Sequence, residues 1–311
     1  MALFDIHIMV DWSAASSPSL GADSIWVAAL GREGMEIENP PTRTAAEDWL
    51  TARFGAAIAA GDRVLAGFDF PFGYPAGAAE RMAAPGQPRD WRGVWARLAD
   101  GIQEGPRNRN NRFALAAALN ADFGPGEGPF WGCPATAVAP TLGPRKPALL
   151  RDGLVPERRL ADARVRAVSS CWQLAYIGSV GSQALTGIAM LERLRRGTLG
   201  RHLAVWPFET GLTAAPESKP EGRIVLAEVY PSLIAKAVAK ARQPGEIKDC
   251  AQVRLLATAL STLDRQGTLG PLFAGPPDGL SAAEAQVITT EEAWILGAGW
   301  AAEVAAAALG P

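Results

Sequence analysis

Asp11, Asp69, Glu228 and Asp249 are the residues whose types and spacing best suit chemistry. Asp11 follows the apolar run 6–10, Asp69 lies in 64–70, Glu228 in 224–229, and Asp249 opens the run 250–263. Apolar runs of the first three lengths read as buried strands. A carboxylate at the end of a buried strand is costly unless it is paired or bound to a cation. Carboxylates drawn from distant parts of the chain can converge on a divalent metal, and oxygen-only ligands favour the hard cations Mg²⁺ or Mn²⁺. Each residue also has a structural alternative. Asp11 opens Asp-Trp-Ser, a turn-capping pattern. Asp69 precedes Pro71 and can bind backbone at a turn. Glu228, a poor strand residue, can sit in a salt bridge. Asp249 can cap a helix and complement its dipole.

A second set of residues suits phosphate. The stretch 81–166 carries 14 basic and 8 acidic residues, a net +6, against −2 for the whole chain. Either it is a solvated basic surface, or it lies over an acidic metal site and draws in a phosphate-bearing substrate. Arg107, Arg109 and Arg112 are the expected phosphate contacts. Ser13 follows Asp11 at the same expected strand end. Gly178-Ser179-Val180-Gly181-Ser182-Gln183 precedes an expected helix, so Ser179, Ser182, Gln183 and nearby N–H groups can face an anion. The alternative is a tight turn with a serine cap. No Gly-Lys-Ser/Thr follows, so it is not a Walker A loop. Trp91, Trp95 and Trp131 are candidate stacking surfaces for a base, and Glu209 is a further carboxylate at a strand end.

These residues need elements to position them. Strands are predicted at 6–10, 24–30, 35–38, 64–70, 203–208 and 223–229. Helices are predicted at 44–60 with Thr44 as cap, 113–121, 160–175, 182–196, 231–242, 248–263 and 300–309, with a short turn at 281–286. Three strands, a helix and a fourth strand, then alternating helix and strand, is the order of a ribonuclease-H-like α/β domain. It implies a mixed sheet with helices on both faces. The Gly-, Pro-, Arg- and Trp-rich stretch 74–156 reads as an inserted lobe within a single domain, 1–311. Hydrophobic residues at 48% and charged residues at 20% suit an ordinary globule. No apolar run reaches the ~18 residues of a membrane span, and the first residues lack a secretory pattern. Cys133, Cys171 and Cys250 are odd in number and far apart, which argues against a disulfide framework. A cytoplasmic protein is the expectation.

Asp11, Phe68-Asp69-Phe70-Pro71-Phe72-Gly73, Glu228-Val229-Tyr230-Pro231, Asp249 and Glu291-Glu292-Ala293-Trp294-Ile295-Leu296-Gly297 follow one another in this order. The set resembles the family called domain of unknown function 429, over most of the chain outside the lobe. The resemblance implies a ribonuclease-H-like fold and a nuclease. A subgroup with similar Gly-Ser-Val-Gly-Ser-Gln, Trp-Pro-Phe-Glu-Thr and Glu-Val-Tyr-Pro runs is labelled as acting in molybdopterin guanine dinucleotide synthesis. Two positions depart from the family pattern. Trp12 stands where a small residue is usual, and Asp249 lacks the paired Asp-x-x-Asp-Ala, which removes one expected ligand.

The expected function is Mg²⁺- or Mn²⁺-dependent phosphoester hydrolysis on a nucleic acid or nucleotide. Asp11 and Asp69 would be primary ligands, with Glu228 and Asp249 completing the set. The rivals are nucleotide binding or phosphoryl transfer, as in actin-like kinases built on a similar sheet, and a binding protein that keeps only the fold.

Overall fold

The computed structural model describes residues 2–165, 168–176, 178–216 and 222–310. Six strands among the described residues form one mixed sheet, in the order β3-β2-β1-β4-β6-β5. They are β1 (Ile6–Asp11), β2 (Trp26–Gly31), β3 (Gly34–Glu38), β4 (Val64–Phe68), β5 (Leu203–Val205) and β6 (Ile224–Glu228). β1, β2 and β3 form an antiparallel meander, while β4, β6 and β5 run parallel to β1 and to one another. The expected six strands are all present. β5 stops at Val205, short of 208, and residues 206–210 form a turn.

Strand side chains alternate between two hydrophobic cores. Val10, Phe68 and Leu226 enter the first; Met9, Leu65 and Ala227 enter the second. The first core is covered by α1 (Arg43–Ala60), α2 (Ala78–Met82), α3 (Trp91–Gly101), α4 (Arg112–Ala121), α5 (Ala148–Arg151) and, after α6 (Leu160–Arg164), α7 (Gly181–Arg196). The second is covered by α8 (Ala235–Ala241), α9 (Lys248–Arg265), α10 (Gly270–Phe273) and α12 (Ala301–Ala307), with α11 (Ala282–Val287) near the surface. No helix of the described residues is long and apolar enough to cross a membrane.

Three expectations change. α1 is capped by Thr42, whose side chain accepts from Ala45 N–H at 3.1 Å, rather than by Thr44. The helix expected over 160–175 ends at Arg164, and residues 166 and 167 lie outside the described ones. The reason is a change of core: Ala161, Val165 and Val168 belong to the second, Cys171, Trp172 and Leu174 to the first. The 74–156 lobe is not poor in core residues. Tyr74, Met82, Trp91, Trp95, Leu98, Leu119 and Phe130 are buried in the same core as the sheet. Trp91 and Trp95, expected as stacking surfaces, are therefore sealed from solvent, and Trp131 is half-buried.

The chain leaving β4 is tightly confined. Phe68, Phe70 and Phe72 continue the alternation into the first core, with adjacent ring centres 5.6–5.7 Å apart. Gly73 then presses against the backbone of residues 291 and 292. A Cβ there would lie 2.2 Å from Glu291 O and 2.6 Å from Glu292 O. Gly73→Ala should cost about 1–3 kcal/mol through overpacking of fixed backbone. Urea unfolding at pH 7 would check it, with the control Gly55→Ala, at an open helical position, neutral or slightly stabilising.

Candidate functional site

Parallel pairing places Val10 opposite Phe68, so Asp11 and Asp69 leave adjacent strands side by side. Both follow a residue of the first core and so point to the other face, toward α9. Their carboxyls hydrogen-bond to each other. Trp12 N–H donates to Asp69 Oδ1 at 2.8 Å, while the Trp12 ring turns into the first core and its Nε1 reaches Thr186 Oγ1 at 3.1 Å. Asp249 enters from the first turn of α9, near enough for its charge to act on both aspartates, and its Oδ2 accepts from Asp23 N–H at 2.8 Å. Asp249 thus does not cap its own helix; Ile247 holds that position.

The electrostatics follow from this crowding. Burial first, then the charges of Asp69 and Asp249, push the Asp11 carboxyl well above the usual range. Burial also raises Asp69, to about 7, against the stabilising bonds from Trp12 N–H and Asp11. Both residues keep a partial opening to solvent. Two close carboxyls in such a place cannot both ionise readily. Near neutral pH the pair therefore shares a proton, a form that suits general acid–base work or exchange of that proton for a cation. No Lys, Arg or His among the described residues forms a salt bridge with Asp11, Asp69, Asp249 or Asp23. No group of three or more His, Cys, Asp or Glu side chains among them is arranged to hold a metal.

Glu228 does not join this pair. It is the register partner of Phe68 and so faces the first core. There both its oxygens are taken by the buried Arg159 guanidinium, Oε1 at 2.6 Å and Oε2 at 2.7 Å, and Oε2 also accepts from Phe72 N–H at 2.9 Å. Arg159 also binds Asp162 (Nη2 to Oδ1, 2.8 Å) and Glu292 O (3.0 Å). Of the two alternatives in the sequence, Glu228 takes the salt bridge. Glu209 is also structural, held by Arg195 at 3.0 Å and by Val205 N–H at 3.0 Å.

The expected phosphate contacts lie across the loop that follows β1. Arg112 donates to Ser182 Oγ at 2.9 Å and to Ser16 Oγ at 2.8 Å, joining that loop to the start of α7. Ser13 is half-buried, its Oγ accepting from Ala15 N–H at 3.3 Å and donating to Asp23 O at 3.5 Å. Arg107 and Arg109 are exposed on the 104–110 turn. Ser179 and Gln183 are half-buried on either side of the α7 start.

Sequence reasoning passed over Ser16, Arg43 and Arg159. Arg43 is fully buried, pairs with both oxygens of Glu104 at 2.7 Å, and holds Ser13 O and Ala15 O at 3.2 and 2.8 Å. With Thr44 read as the cap, Arg43 lay outside the expected helix and gave no signal; the true start, at Arg43, sets a cation against the helix dipole. Arg159 stands three residues before Asp162, a spacing that places the two together on one helical turn.

Searches against protein-family models, curated proteins and solved structures returned no match.

Two tests separate the acidic groups. The folded aspartate pair keeps a proton that the unfolded chain releases near pH ~4. Its stabilisation is full below that pH and is lost as pH rises through about 7. The unfolding free energy should fall between pH 5 and pH 8, with a slope of at most about 1.4 kcal/mol per pH unit for each proton. Asp69→Asn should flatten that fall. Glu228→Gln, by contrast, should destabilise by about 3–5 kcal/mol, as for other broken buried pairs, with the parent's pH slope retained. Urea melts across the same pH series would read both.

Proposed function

We propose that the chain is a divalent-metal-dependent phosphoester hydrolase of ribonuclease-H-like architecture, acting on a nucleic acid or nucleotide. The observation that carries the reading is the pair of Asp11 and Asp69 on adjacent parallel strands, faced by Asp249 and Asp23, with no basic side chain among the described residues paired to any of the four. Such a negative focus is neutralised by a cation. The antiparallel meander followed by a parallel β4 supports the ribonuclease-H-like part.

Asp11 and Asp69 would hold the ion, with Asp249 the nearest further carboxylate. Mg²⁺ suits two protein carboxylates, because it keeps several waters and takes further oxygens from a substrate phosphate. When bound, it would lower the pKa of a water and offset charge on the leaving oxygen. Glu228 is left out of the set, since its oxygens are taken by Arg159 and Phe72 N–H. Trp12 N–H fixes the Asp69 carboxyl, and the proton shared by the two aspartates leaves as the cation enters.

A second reading, nucleotide binding or phosphoryl transfer such as cofactor synthesis would need, is favoured by one contact. Ser182, at the start of α7, is buried, gives its hydroxyl to Leu174 O and accepts from Arg112, and so orients the guanidinium that would meet a phosphate group.

Mn²⁺ or Mg²⁺ at about a hundredfold above Kd should stabilise the protein by roughly 2.7 kcal/mol. Asp11→Asn should abolish the rise in melting temperature while the fold is kept, and a single-stranded oligonucleotide should be cut only with metal present. An undiminished metal response in Asp11→Asn would falsify the shared site. Stabilisation by ATP with no cleavage of any oligonucleotide would favour the second reading.

A further inference from the structure

Arg112 is a cation whose hydrogen-bond partners are all neutral. Its guanidinium is half-buried, with Cζ 4.4 Å from the centre of the Phe113 ring. Nε is held by Ser182 Oγ at 2.9 Å, and Nη1 by Ser16 Oγ at 2.8 Å and Asn110 Oδ1 at 2.9 Å. The carboxylate whose charge acts on it, Glu104, has both oxygens committed to Arg43 at 2.7 Å. Nη2 has no acceptor among the described residues and is not sealed from solvent. Burial and then the Arg43 charge bring the Arg112 pKa down to about 10, so it stays charged at neutral pH. A partly desolvated guanidinium, locked in orientation with one nitrogen free, is preorganised for an anion.

The positive charge continues beyond it. Arg107 and Arg109 are exposed, and their side chains have no partner among the described residues. Their turn is strained: Arg107 (φ 59°) and Asn108 (φ 65°) are both left-handed without being glycine. Asn108 is held there by Arg43 N–H at 2.9 Å, Arg43 Nη2 at 2.7 Å and Ser17 O at 3.2 Å. The strain fixes where the two arginines leave the surface.

We propose that Arg112, oriented by Ser16 and by the buried Ser182, whose hydroxyl is given to Leu174 O, is a second anion seat, and that the ligand is a chain of two or more phosphates running from the pair of Asp11 and Asp69 to Arg112 and on over Arg109 and Arg107. Only the position of the first phosphate rests on the function proposed above. Asp11 and Ser16 are five residues apart, so at most about 18 Å separates them along extended chain, a span that a short run of phosphates bridges. Trp91 and Trp95 are buried and offer no surface to a base, so the arginines recognise the ligand by its phosphates. Such a chain is a phosphodiester in a nucleic-acid strand or a phosphoanhydride in a nucleotide.

The test is binding without divalent metal, in EDTA and in the Asp11→Asn background, so that it is independent of catalysis and of the metal site. Probes are a labelled oligothymidylate of about eight nucleotides, ATP, and thymidine monophosphate as the single-phosphate control. The oligothymidylate or ATP should bind at least tenfold more tightly than the monophosphate, and whichever binds more tightly identifies the source of the chain. Arg112→Gln should weaken that ligand at least tenfold. For the strand it should also reduce the salt slope by about 0.7, the value for one lost phosphate contact. Ser16→Asp, at an exposed loop position, should do the same by placing a carboxylate on Arg112, and it guards against a folding defect in the first variant. Unchanged affinity in both variants, equal binding of the monophosphate, or no binding of either longer probe overturns the second seat. Loss of metal-dependent cleavage with this binding intact would count against the hydrolase reading alone.

Discussion

The buried Arg159 guanidinium is the interaction on which the other parts of the molecule depend. It joins the end of β6 through Glu228, the start of α6 through Asp162, and the single π-helical turn Ile288–Glu292 through Glu292 O. Glu228 extends the link to Phe72 N–H, and Phe72 O in turn accepts from Trp95 Nε1 at 2.8 Å. Glu292 completes the clasp by accepting from Leu160 N–H at 2.6 Å and Ala76 N–H at 2.8 Å, and Glu291 by accepting from Ala79 N–H at 2.6 Å. Arg159, Asp162, Glu228 and Glu292 are all buried, so removing any one leaves a charge uncompensated. Arg159 is accordingly held protonated far above the ordinary range by Asp162 and Glu228, against its burial.

That hub also sets the site. Asp69 lies three residues before Phe72, whose backbone is pinned on both its N–H and its carbonyl. The segment between has little freedom, because Phe70 and Phe72 are locked in the first core and Gly73 abuts the 291–292 backbone. On the β1 side, Arg43 holds the loop carbonyls of Ser13 and Ala15. The two aspartates are therefore presented by two independently clamped strand exits. These rigid supports, with the hydrogen bond the pair shares, keep the two carboxyls together.

The contrast between the two acidic clusters is the main physical argument for where function lies. Both sit at one edge of the same sheet, on opposite faces. Around Glu228 a guanidinium and backbone N–H groups satisfy the carboxylates, as a structural ion pair requires. Around Asp11 and Asp69 the neighbours are further carboxylates and one N–H. Burial raises Glu228 as well, but Arg159 opposes it there, whereas the charges beside Asp11 raise it further, and groups perturbed in that way cluster at working sites.

Much of this was legible in the sequence. Apolar runs located all six strands, and the alternation Phe68, Asp69, Phe70 correctly put Asp69 on the face opposite the aromatic side chains. Strand ends also brought Asp11 and Asp69 together, because parallel neighbours present their last residues at one edge. Partner identity was not legible. Glu228 and Asp69 look alike in one dimension, yet only one meets an arginine, from 69 residues away in the chain. The lobe's glycines and prolines hid its core, although Trp91, Val94, Trp95 and Leu98 stand at helical i, i+3, i+4, i+7 spacing behind an Asp90 cap and are buried on one face of α3. Short-range pattern determines which face a side chain takes, because that follows from backbone geometry. Whether a buried carboxylate is neutralised depends on which distant group folds against it, and that was decided only by the tertiary structure.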